Sequence, residues 1–175
     1  MAHGMRTDTH MSYVDRGGDW RDTAQRFALL PLRVFLGVTF IYASFDKLTD
    51  SAFFKSSGAG SIGDQMRGVR DISAIPELVD LALKSPTGFG YAIALGELAV
   101  GIGTLLGVLA RLAAVGGALI SLSLWLTVSW ATEPYYLGND LAYLMAWLPL
   151  VLAGAAVWSV DAWWRDRRRR SSGLM

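Results

Sequence analysis

Residues Phe89 to Arg111 read FGYAIALGELAVGIGTLLGVLAR. The run stays apolar for about twenty residues, the length that spans the hydrocarbon core of a bilayer. One acid, Glu97, interrupts it well inside. Close-set glycines, Gly96, Gly101, Gly103 and Gly107, run through it, and Arg111 ends it. A charge inside a membrane helix costs about 3 kcal/mol on insertion scales. Glu97 therefore calls for a partner, a proton or a water-filled cavity.

The same kind of run recurs along the chain. Of its 175 residues 53% are hydrophobic, and the mean hydropathy is +0.35, with the apolar residues in long blocks. That places the chain among integral membrane proteins. The predicted spans are 27–48, 89–109, 112–131 and 141–160. A polar tail, 1–26, precedes them, and a basic tail, 165–175, follows the membrane domain 27–164. The connections after the second and third spans are short, so neighbouring helices run antiparallel. The expected fold is all-α: an antiparallel four-transmembrane-helix bundle with a long extracytoplasmic loop, 49–88, between helices 1 and 2.

Orientation follows from the flanking Lys and Arg. Arg6, Arg16, Arg21 and Arg26 precede the first span, Arg111 lies in the second connection, and Arg165 and Arg167 to Arg170 follow the last span. The third connection, ATEPYYLGND, has neither Lys nor Arg. Both termini are expected in the cytoplasm of a bacterial cell, at its plasma membrane. Within the long loop, SSGAGSIG reads as flexible. Val69, Ile72, Ile75, Val79 and Leu83 make a helical stripe broken near Pro76, which predicts one or two short surface helices.

Composition excludes several chemistries. There is no cysteine, which removes disulfides, thiolate catalysis and cysteine-held clusters. His3 and His10 both lie in the polar tail, so no apolar segment carries a histidine to hold a haem. A net charge of +1 gives no global field for nucleic acid. Gly101, Gly103 and Gly107 follow no strand, which rejects a dinucleotide loop. Gly103-x-x-x-Gly107, extended by Ala99, reads instead as a small-residue stripe for close helix packing within the chain.

Polar residues at similar heights define a candidate centre. At a rise of 1.5 Å per residue Glu97 lies about 12 Å below the outer surface, and Arg33 about 9 Å above the inner one. Glu97, Arg33, Tyr42, Trp125, Tyr143 and Trp147 are the candidate lining of a quinone or lipid pocket. The structural alternative is that Glu97 is protonated, or paired with Arg33, and locks the bundle. Asp46, Lys47, Asn139 and Asp140 fall at the outer helix ends, as a pocket mouth or as end charges with a helix cap. Arg111 and Asp161 both fall at the inner interface and are expected to pair. No metal site is expected, and no cofactor bound covalently or through a metal. Quinone or phospholipid is the expected ligand class.

Several stretches resemble one family. LRVFLGVTFIYASFDKL is similar to the opening of DoxX-type proteins, with an Arg, a Leu-Gly and an outer Lys-Leu. GELAVGIGTLLGVLARLAAVGGAL resembles that family's Glu, glycine-rich run and Arg-containing joint, and WSVDAWW its ending. YYLGNDLAYL is similar to the DoxD branch, the membrane subunit of thiosulfate:quinone oxidoreductases. Together they cover roughly residues 27–165. The resemblance implies a four-helix inner-membrane protein associated with redox or respiratory partners, in contact with membrane lipids and protein subunits. A non-catalytic accessory subunit is the favoured reading. The alternatives are the quinone-side subunit of a thiosulfate:quinone-type oxidoreductase, and a small-molecule or lipid carrier.

Overall fold

The computed structural model describes residues 18–155, 157–164 and 167. Every regular element among them is helical and no strand occurs. The helices are α1 (Gly18–Phe27), α2 (Leu30–Thr49), α3 (Ile62–Val69), α4 (Pro76–Leu83), α5 (Pro86–Leu106), α6 (Ala110–Thr127) and α7 (Asn139–Ala153). Short 3-10 turns lie at Arg70–Ile72 and Tyr135–Leu137.

Three stretches, Trp20–Thr49, Pro86–Leu106 and Ala110–Thr127, are long and apolar enough to cross a membrane. Prolines open α2, α4 and α5, where the missing N–H has no intrahelical partner to lose. α7 is apolar but has 15 residues, which reach only about 22 Å against a hydrocarbon core of about 30 Å. It ends at Gly154, at φ +68° and ψ −159°, a conformation that glycine adopts without steric cost. The continuous helix expected over 141–160 therefore stops early. Residues 157–159 bend, and a helical turn resumes at 160–164.

The apolar helices pack in the order α2, α5, α6, α7, with a lighter contact between α7 and α2. Their shared core is Leu36, Phe40, Val100, Ala114, Trp147 and Leu150. α2 and α5 approach most closely at Gly37 and Gly101. A Cβ on Gly101 would sit 2.9 Å from the Gly37 carbonyl oxygen, so only the small residue lets the backbones meet. Gly103 lies against Ala113 of α6, and Gly107 ends α5 at φ +66°. The expected stripe thus serves packing within the chain. Phe35, Val38, Leu95, Ile102, Leu112, Leu119 and Leu152 stay exposed around the outside. Helices apolar on all faces suit a lipid surround.

The connection between α2 and α5 is a folded unit. Its own core is Phe53, Ile62, Met66, Val79 and Ala82, with Phe54 and Phe89 packed against it. SSGAGSIG was expected to be flexible, but it leads into α3. Ser61 caps that helix, its hydroxyl accepting from the Asp64 N–H at 3.2 Å. The neighbouring Gly63 packs so tightly on the Ser56 carbonyl that a Cβ would overlap it at 1.9 Å. The helical stripe is broken just before Pro76, which opens α4 and its Val79 and Leu83, although Ile72 and Ile75 are exposed. The unit is tied to α6 through Leu126, whose carbonyl accepts from the Ala74 N–H at 2.8 Å and the Ser73 hydroxyl at 3.2 Å.

Candidate functional site

Glu97 faces the α2–α5 interface and is 4% exposed. Its carboxylate accepts from the Lys47 ammonium at 2.8 Å (Oε2) and 3.1 Å (Oε1). Lys47 also donates to the Ala43 carbonyl, one turn back along α2, at 3.2 Å. Helical side chains lean towards the N-terminus of their own helix. Lys47, in the last turn of α2, therefore leans down into the core. Glu97, on the oppositely running α5, leans up towards the connection. The two meet between their backbone levels.

The same lean takes Arg33 away from Glu97, and the pairing expected between them does not form. Arg33 points towards the opposite end of α2. Its guanidinium donates to the Val157 carbonyl (Nη1, 2.7 Å) and the Trp158 carbonyl (Nη2, 2.7 Å). The acid found its cation in Lys47, which the sequence had placed at the mouth.

Asp140, in the first turn of α7, interacts electrostatically with both Lys47 and Glu97. Its Oδ2 accepts a short hydrogen bond from the Ser129 hydroxyl, at the end of α6. The polar centre is thus one cation and two acids, drawn from α2, α5 and α7. The Lys47 side chain keeps 23% of its surface exposed, against 5% for Glu97. The ammonium is therefore the member of the pair that can be reached from outside. Asp46 and Asn139 are exposed at the same end.

The other residues expected around Glu97 divide. Tyr143 and Trp147 come together around Phe40, with ring centroids at 6.5 Å and 4.9 Å. Trp147 is fully buried, and its indole N–H finds no acceptor. Trp125 packs on Trp130 at 5.4 Å. Tyr42 is 72% exposed on the outside of α2. Arg33 and Glu97 belong to opposite ends. Among the described residues no group of His, Cys, Asp and Glu could hold a metal ion.

At the terminal end Arg111 and Asp161 do not form the expected ion pair. Both Asp161 oxygens are taken by backbone donors, the Leu109 N–H at 3.0 Å and the Ala110 N–H at 2.9 Å. These are orphan donors at the start of α6, where a carboxylate is favoured by charge and by hydrogen bonding. Arg111 instead lies along Gly154, its side chain filling the space where a Cβ would stand. The basic tail expected over 165–175 lies outside the described residues apart from Arg167, whose guanidinium sits 4.1 Å from the Trp163 ring centroid.

The sequence model of the DoxX family matches residues 28–130. The chain belongs to the DoxX family. No curated protein and no solved structure matches it. Lys47 and Glu97 both fall inside the matched region of this DoxX protein, whereas Asp140 and all of α7 lie beyond it.

Proposed function

We propose that this DoxX protein is a four-span protein of the bacterial plasma membrane and a non-catalytic accessory subunit of a respiratory or other redox complex. α7, prolonged by the segment through residue 164, is the fourth span. Both termini are cytoplasmic and the folded connection lies outside. The observation that carries the docking role is that connection, which has its own core and is pinned to α6 through Leu126. It presents an exposed ionic face, where Arg70 bridges Asp80 (2.5 Å) and Asp71 (3.1 Å). An ordered platform loses little conformational freedom on binding a partner. The redox assignment comes from the family resemblance. Purification in mild detergent followed by mass spectrometry tests it. Stable co-purification of membrane redox subunits is expected, and recovery of the chain alone overturns the reading.

A second reading is favoured by the partly exposed Lys47. As the quinone-side subunit of a thiosulfate:quinone-type oxidoreductase, the chain would offer a quinone carbonyl the Lys47 ammonium, with Glu97 and Asp140 setting its charge and its proton supply. Quinone reduction in intact membranes should fall in Glu97→Gln. An unchanged rate excludes this reading.

A further inference from the structure

Arg33 is 5% exposed, yet among the described residues no carboxylate lies within ion-pairing distance of it. Its guanidinium carries five N–H donors. Two bonds go to the carbonyls of Val157 and Trp158, and the buried Nε–H has no acceptor. A buried cation without a counter-charge is costly, and carbonyl dipoles offset only part of that cost. Beside it lies a cavity of about 100 Å³, lined by Arg33, Gln25, Arg26, Leu29 and Gly154 among others. Arg26 is exposed and also has no acidic partner among the described residues. Trp158, whose carbonyl Arg33 binds, is exposed and sets its ring edge-on to Phe27 at 5.7 Å. Exposed tryptophans are enriched at the headgroup level of a bilayer.

We propose that this cavity binds a phosphate group, with Arg33 as the buried donor and Arg26 as the outer clamp. Guanidinium groups match phosphate oxygens in geometry and charge. The cavity has room for the phosphate, and Leu29, Leu30, Ala153 and Val157 give it apolar walls beside the two arginines. A phospholipid headgroup and a soluble phosphate share this chemistry. The site stands apart from the Lys47–Glu97 centre and does not depend on any redox partner.

The full-length protein, stripped of lipid in detergent, would be titrated by native mass spectrometry with three probes. These are dioleoylphosphatidylglycerol, dioleoylglycerol (the same chains without phosphate) and inorganic phosphate. Phosphatidylglycerol should bind in preference to dioleoylglycerol. Arg26→Gln should weaken it about fivefold, the effect of one basic contact, and Arg33→Lys should weaken it at least as much. Lys84→Gln, at the connection end, should leave it unchanged. If inorganic phosphate binds with the same dependence on Arg26 and phosphatidylglycerol shows no preference, the site stands with a soluble phosphate as its source. Equal retention of the two lipids without phosphate binding overturns the proposal, as does equal weakening by Arg26→Gln and Lys84→Gln. Arg26 is exposed, so its variant decides the matter even if Arg33→Lys fails to fold.

Discussion

Trp147 lies flat against Gly117, so closely that a Cβ on Gly117 would sit 2.3 Å from Trp147 Cε2. The contact joins α7 to α6, and Phe40 of α2 closes on the other edge of the indole. Gly117→Ala must push the indole off Phe40 or spread the two helices. Overpacking of this kind costs about 1–3 kcal/mol. A lower melting temperature of the detergent-solubilised protein is expected, and an unchanged one would show that α7 moves freely on α6.

Removing one member of the Lys47–Glu97 pair should be worse than removing both. Lys47→Met leaves a buried carboxylate without its cation, a change that costs about 3–5 kcal/mol in buried sites. The double variant Lys47→Met, Glu97→Leu takes out both charges and should recover most of the loss. Thermal unfolding of the two single variants and the double variant measures the coupling. Purely additive losses would mean that the charges act independently.

Acid should loosen the folded connection before it touches the helical core. The Arg70 guanidinium beside Asp80 holds its carboxyl below the usual carboxylate range, and Arg67, with the Gly58 N–H, does the same for Asp64. A depressed carboxyl stabilises the fold above its unfolded pKa of about 3.9 and loses that contribution as pH falls through the folded value. Both groups are exposed, so the effect is local and screened by salt. Hydrogen exchange over residues 61–83 should accelerate below about pH 4 while α5 and α6 stay protected. Asp80→Asn should remove part of that acid response.

Asp161→Asn keeps the shape of the side chain but gives up the charge and one acceptor oxygen. Loss of a capping carboxylate costs about 1 kcal/mol. Faster amide exchange at Leu109 and Ala110 is expected, with the Lys47–Glu97 end unchanged. Equal protection in the variant would show that water or another group satisfies those two donors.

The spans were legible because long apolar runs carry their own signal, and α2, α5 and α6 begin and end within a few residues of where hydropathy places them. The helical stripe of the connection was legible for the same reason. α3 is hard to read because glycine and serine dominate the stretch before it. Its signal was nonetheless present, in Ser61 and Asp64 at the spacing of a helix start. The partner of Glu97 is not legible from heights counted along a helix, which treat side chains as points on the axis. Arg33 and Lys47 sit on one helix and lean the same way, so the farther-placed cation reaches the acid and the nearer-placed one turns from it. Charge alone pairs Arg111 with Asp161, but the open N–H groups at the start of α6 take both Asp161 oxygens.

The hold of Asp161 on Leu109 and Ala110 has a consequence for how the molecule is made. The start of α6 is completed by a residue more than a whole helix later in the chain. During synthesis α6 emerges before the carboxylate that caps it, so the Leu109 and Ala110 N–H groups depend on other acceptors until residue 161 follows. Closure of that end therefore waits for the residues that follow α7. A nascent chain stalled before residue 161 would hold all its apolar helices and still lack the latch that joins its end to its middle.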